Sequence, residues 1–231
     1  ITIVTPTMNR NDLLLENPYI FKTRPSIASQ LENLAAFIAK KYRNKQILII
    51  QRDNESDKKR SEGFQIMLSN AFKKTSDAIA LSPPEKDSQK NLATGSEPLI
   101  KELVINEIAD AKIPPMLSVS DTTFVVIPSN DQVFVSQILP ILNELVKNYS
   151  MIVAGNADWE YYDNLETEYL HNLIVHITSM NHLNCAGADF RILAHSFFEK
   201  FSTYPDDFAL QGFDITYNFL RAMMHYGINF K

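Results

Sequence analysis

The chain has 231 residues, 45% hydrophobic and 21% charged, which is ordinary globular composition and enough for one large domain or two modest ones. A formal charge of −5 argues against general binding to nucleic acid or anionic membranes. No apolar run approaches the ~20 residues of a membrane span.

Ile1–Thr5 (ITIVT) is a short apolar run closed by Pro6 and predicts a strand, with a polar loop over Thr7–Glu16 behind it. A chain that opens on a bare core strand is expected to be a processed piece or an excised domain. Tyr19–Thr23 alternates weakly and reads as extended. Pro25 then sets up Ser26 as a helix cap. Ile27, Leu31, Leu34, Ala35, Ile38 and Tyr42 recur on one face of a helix. Gln46–Gln51 (QILIIQ) predicts a buried strand, and the polar loop Arg52–Asp57 leads to a helix over about Asp57–Lys74 with Phe64, Met67, Leu68, Ala71 and Phe72 inward. Ser82–Pro98 is polar and proline-rich and reads as a long loop. The spacing of Ile100, Leu103, Val104 and Ile108 predicts a helix over Leu99–Ala109.

Phe124–Ile127 is the next strand, and Pro128-Ser129-Asn130-Asp131 turns it directly into an amphipathic helix with Pro140 inside, where a kink is expected. Met151–Ala154 and Leu173–Thr178 predict two more strands. Phe190–Phe201 and Phe208–Tyr226 read as helices broken at Pro205. The βαβαβ order favours a doubly wound, mainly parallel sheet covered on both faces.

Such a sheet gathers ligands at the carboxyl ends of its strands. Ser129 and Asn130 offer a hydroxyl and an amide there, although one of Ser129, Asn130 and Asp131 is also expected to cap the helix. Gly155-Asn156-Ala157-Asp158-Trp159 follows the neighbouring strand. Its indole serves either as a flat wall with the polar corners Asn156 and Asp158, or as packing on Tyr161 and Tyr162 under the loop. Asp53, Glu55 and Asp57 make the third rim loop acidic, so it disfavours anions or is a solvated loop and cap. The single cysteine, Cys185, excludes an internal disulfide and reads as a bystander thiol. The five histidines show no metal or catalytic spacing, and His176 reads as a satisfied imidazole in a strand. With no phosphate-binding glycine motif and no nucleophile–base–acid set, neither an enzyme nor a cofactor or metal is called for.

Asn17–Ser26 (NPYIFKTRPS), the helix after it, Lys45–Gln51, and Ser61-Glu62-Gly63-Phe64 resemble the middle of a type I periplasmic-binding protein. Gln211–Phe219 (QGFDITYNF) is similar to the family's glycine-tyrosine-aspartate helix start. Val126–Gln132 and Ala154–Trp159 look most like the branch that pairs this fold with lysin-motif peptidoglycan-binding repeats in envelope proteins. The resemblance covers nearly the whole chain. It implies two flavodoxin-like lobes joined by three crossovers, with 24–178 as the second lobe. Residues 1–23 and 179–231 would be crossover and remnants of an incomplete first lobe, and Ile1–Met8 the last strand of that lobe.

By the same resemblance, Thr7 and Asn9 stand where amino-acid-binding members hold the ligand's carboxylate and amine, and Asp158 matches the second-lobe acid. The loop Asp53–Asp57 lacks the aromatic that stacks on the ligand in those members. The implied protein is a non-enzymatic, ligand-binding or receptor-type domain of the periplasm or envelope. Its ligand would be a small polar molecule, an amino acid or cell-wall fragment, with peptidoglycan contacted through regions outside this chain. A scaffold module with a degenerate cleft is the alternative. The aromatic helices within Phe190–Tyr226 are expected to self-associate.

Overall fold

The computed structural model describes residues 3–5, 17, 19–23, 25–81, 98–108, 112–179 and 185–227. Thr7, Asn9 and nearly all of the Ser82–Pro98 loop lie outside the described residues. The chain divides into two units, residues 27–179 and residues 1–26 with 180–231.

In the larger unit α1 (Ile27–Lys41) leads to β3 (Gln46–Arg52), α2 (Glu55–Leu81) and β4 (Ile100–Ile105). A short 3-10 turn, Pro114–Met116, precedes β5 (Thr123–Val126), α3 (Gln132–Leu145) and β6 (Met151–Gly155). A second 3-10 segment, Ala157–Tyr161, and α4 (Thr167–Asn172) connect to β7 (His176–Ile177). The five strands are all parallel in the order β4-β3-β5-β6-β7. The chain winds outward from β3 to β4, then returns past β3 to β5, so the winding direction reverses between β3 and β5. In doubly wound sheets that reversal opens a crevice at the carboxyl edge.

Strand alternation builds two cores, one on each face. Ile47, Ile49, Phe124, Val126 and Ala154 join Leu31, Leu34, Ile38, Phe64 and Leu68 of α1 and α2. Leu48, Ile50, Val125, Ile127 and Val153 join Phe134, Val135, Ile138, Leu139 and Leu142 of α3. Each Val, Leu, Ile or Phe among them contributes about 1.5–3 kcal/mol when fully buried, which is why near-continuous apolar strands are stable here.

Two expectations fail. The segment expected as a helix over Leu99–Ala109 is β4, paired with β3 from Ile47↔Ile100 to Arg52↔Ile105. Leu103 and Ile105 pack on the α3 core while Ile100 packs on the α1–α2 core, so the apolar positions serve two faces and not one helical stripe. The strand expected over Leu173–Thr178 shrinks to His176–Ile177, because Leu173 closes α4 and is itself buried in the core.

The smaller unit pairs β1 (Ile3–Thr5) with β2 (Ile20–Lys22) in parallel and carries α5 (Ala188–Phe201) and α6 (Asp207–Tyr226). Phe219 of α6 meets Phe21 of β2 edge-on, with ring centroids 5.1 Å apart. Asp206 caps α6 by accepting from the Ala209 amide.

His176 lies parallel to the Phe124 ring, edge-on to Phe37, with its Nε2 3.4 Å from the Tyr42 hydroxyl. Burial, and secondarily Lys41, hold its pKa below the ordinary imidazole value. The unfolded chain therefore binds this proton more readily than the folded one. The stabilising contribution is complete above the unfolded pKa of about 6.5 and is lost as pH falls below it. The urea midpoint of the wild type is expected to fall between about pH 7.5 and pH 5 more steeply than that of His176→Phe. Equal slopes in a denaturation series would remove His176 from the acid response.

Candidate functional site

The register brings three strand ends to one height. Ile49 pairs with Val126, and Val126 with Ala154, so Arg52, Ser129 and Ala157 stand three residues further on at a common rim. The Ile127 amide donates to the Ala154 carbonyl at 2.9 Å and extends the ladder into the loops.

Each rim residue then finds a specific place. Asp131 caps α3, its Oδ1 accepting from the Val133 and Phe134 amides at 3.0 and 3.2 Å. Its Oδ2 accepts from Arg52 at the end of β3. Ser129 is fully buried; its Oγ accepts from the Asp131 amide and its carbonyl accepts from the Asn156 Nδ2 at 3.0 Å. Asn130 is exposed, its Oδ1 taking the Arg60 guanidinium at 2.6 Å and its carbonyl taking the Tyr162 hydroxyl at 2.6 Å. Asn156 caps the following 3-10 segment through the Asp158 amide. Asp158 is half-buried. Burial, with the Asp158 and Asp131 carboxylates adding and Arg60 opposing, pushes the Tyr162 phenol up.

Trp159 is 2% exposed, and its Nε1 donates to the Ser129 carbonyl at 3.5 Å. The indole belongs to the α3 core, with Tyr162 packed against the same cluster. It sits beneath the loop as a pillar and presents no open wall. Gly155 is the residue that lets it in: a Cβ there would fall inside van der Waals distance of the indole ring carbons.

The third loop is less acidic in effect than its composition. Asp53 pairs with Lys58 at 2.6 Å, Asp57 with Arg60 at 3.3 Å, and Arg52 lies on Asp131. Sequence reasoning named Arg52 only within the polar loop and Tyr162 only as packing for the indole, and it overlooked Arg60. Arg60 stands one turn after Asp57 on a helix already anticipated, so its reach toward the rim was available from helical spacing. Among the described residues no group of three or more His, Cys, Asp or Glu side chains is arranged to hold a metal, and no helix is long and apolar enough to cross a membrane. The geometry gathers hydrogen-bonding groups of mixed character at one edge of the sheet.

Removing the pillar should be costly. Trp159→Ala is expected to destabilise by about 3–5 kcal/mol, and Gly155→Ala by about 1–3 kcal/mol through overpacking. Because the two residues touch, the double variant should cost less than the sum of the singles in urea unfolding. Strict additivity would mean that the indole does not rest on Gly155.

No protein-family model matches the chain, and neither does any curated protein. Solved structures do. A protein assigned to a branched-chain amino acid ABC transporter of Rhodospirillum rubrum aligns with 99% of this chain at 13% identity and a TM-score of 0.56. The substrate-binding protein of a branched-chain amino acid transporter from Streptococcus pneumoniae, solved with isoleucine, aligns with 96% at 13% identity and a TM-score of 0.52. An ABC transporter substrate-binding protein from Desulfitobacterium hafniense, solved with leucine, aligns with 93% at 13% identity and 0.52. This chain spans 59%, 57% and 55% of the length of those three proteins. The likeness is one of fold: a mainly parallel α/β sheet of the type I periplasmic-binding kind.

Proposed function

We propose that the chain is a non-enzymatic ligand-binding protein of the cell envelope whose unit 27–179 is one gripping lobe for a small polar ligand of the amino-acid class. Residues 1–26 and 180–231 belong, on this reading, to the other lobe. The observation that carries the proposal is the joining of the β5 and β6 tips at the carboxyl rim, through Asn156 to the Ser129 carbonyl and Tyr162 to the Asn130 carbonyl. The fold shared with proteins solved with isoleucine and leucine supports it.

Charge favours an amine on the ligand. Arg52, Lys58 and Arg60 each face a carboxylate, whereas Asp158 has no such partner among the described residues. An ammonium group beside Asp158, with hydrogen bonds to Asn130, Asn156 and Tyr162, would complete the rim. Asp53 is an outer contact on this reading. A thermal-shift screen against leucine, isoleucine and a muropeptide is expected to raise the melting temperature with an amine-bearing ligand, because a ligand of the folded state stabilises by mass action. Asp158→Asn should weaken that ligand by about tenfold or more, the loss of one charged hydrogen bond.

A second reading has its own observation. The buried indole and the ties among Arg52, Asp131, Arg60 and Asn130 fill part of the edge with the protein's own side chains. That suits an interaction module that binds no small molecule, and a flat screen would favour it. Either reading leaves Phe198, Phe201, Phe213, Tyr217, Leu220 and Met224 of α5 and α6 exposed. Self-association through them is expected in sedimentation at rising concentration, and a clean monomer would exclude it.

A further inference from the structure

The charge of the larger unit is unevenly placed. α1 and α2 both end at the edge where the strands begin, and the Arg43 guanidinium donates to Ser76 Oγ, so the two helix ends lie side by side. Lys40, Lys41, Lys73 and Lys74 are exposed there and Arg43 is half-buried. Among the described residues none of these five has a carboxylate partner. On the same edge Lys45 precedes β3, Lys101 reaches the Met116 carbonyl at 3.4 Å, and Lys112 is exposed. Against them stand Asp77, Asp121, which takes Lys45, and Glu144, already paired with Lys147 at 2.7 Å. The carboxyl edge has the opposite sign. Asp53, Glu55, Asp131, Asp158, Glu160 and Asp163 follow its strand ends, and Arg52, Lys58 and Arg60 are paired with carboxylates. A net charge of −5 therefore conceals a positive edge.

Exposed aliphatic side chains interrupt the lysines. Leu99 ahead of β4, Val119 ahead of β5 and Ile174 ahead of β7 are 58%, 87% and 55% exposed. The Tyr42 hydroxyl, 3.4 Å from His176 Nε2, brings the end of α1 to the start of β7 and so to the neighbourhood of Ile174. Ile174 also stands in the left-handed backbone region, φ 47°, directly after Leu173 closes α4. Glycine or asparagine ordinarily fills such a place, and a β-branched residue there is strained. The fold gains neither burial nor backbone ease from isoleucine at that position.

We propose that the amino edge of this sheet docks on a bilayer surface rich in anionic phospholipid. The lysines meet headgroup phosphates while Leu99, Val119 and Ile174 enter the interface, and that pairing of charge with apolar area is what holds a protein at a membrane surface. A nucleic acid suits the edge less well. Among the described residues no exposed aromatic stands on it to stack on a base. The same bilayer repels the acidic edge, so the unit docks with its carboxyl rim away from the lipid. The face lies at the other end of the strands from that rim and does not depend on the ligand-binding reading above.

Co-sedimentation of the intact chain with phosphatidylcholine vesicles, with and without about 30% phosphatidylglycerol, tests it. The exposed aromatics of α5 and α6 attach alike to either vesicle, so the difference between the two reads the charged edge. The anionic vesicles should bind at least about tenfold more tightly, and less so as salt rises. Lys40→Ser combined with Lys73→Ser should weaken that binding about 25-fold, about fivefold for each cation lost. Val119→Ser should weaken it about threefold. All three positions are exposed, so the melting temperature should stay that of the wild type. Equal binding to the two vesicles, or binding to neither, would overturn the proposal. Full binding by Val119→Ser together with retention on heparin would also overturn it, and would assign the edge to a soluble acidic polymer.

Discussion

Everything at the rim depends on the parallel ladder that binds β3 to β5 and β5 to β6 without a slip. A shift of one residue between β5 and β6 would exchange the faces of every β6 side chain, sending Val153 toward α1 and α2 and Ala154 toward α3. The two cores forbid it, because each face is closed by helices cut to a particular set of side chains. Small Ala154 lies on the α1–α2 face and Val153 on the face of Trp159. The register is thus a consequence of packing on two sides. The height at which Ser129 and Asn156 meet follows from it.

Much of this was legible in the amino acids. The run from Thr123 to Asp131 and the apolar rows of α1 and α3 leave one economical reading, since period and length agree. The failure at Leu99–Ala109 has a definable cause. Ile100, Leu103, Val104 and Ile108 satisfy a helical spacing, yet a strand buried partly on both faces also needs apolar residues of either parity. Periodicity alone does not separate the two, and the β-branched content of the segment was the better guide. At the rim, a cap was foreseen among Ser129, Asn130 and Asp131; it is Asp131, whose second oxygen also takes Arg52 from another strand. Contacts that cross from strand to strand leave little trace in local sequence.

Of the two roles read for Trp159, packing under the loop is the one that agrees with its burial. A lone tryptophan in a polar loop invites a ligand-stacking role, and the indole is instead consumed by the core. The physical sign was Gly155 four residues before it. A glycine closing a strand marks a close approach, and here the approaching group is the indole itself. With the ring beneath the loop and its Nε1 on the Ser129 carbonyl, the loop gains rigidity at the expense of an aromatic surface.

That exchange bears on what the rim would recognise if it is the ligand edge proposed above. Its floor is stiff and apolar, and the Ser129 carbonyl is already occupied by Asn156 and Trp159. Its cations are drawn toward its own carboxylates, so an anionic group arriving from solvent must compete with Asp131 for Arg52 or with Asp57 for Arg60. A positive group meets no such competition at Asp158. Exposed ion pairs are worth little, about 0–1 kcal/mol, so the competition is not prohibitive for Arg52. It is stiffer for Arg60, whose carboxylate partner is almost wholly buried and would be left charged and unpaired. On the proposed reading, selectivity at this edge would rest as much on which cations are unwilling to leave their partners as on which groups face outward.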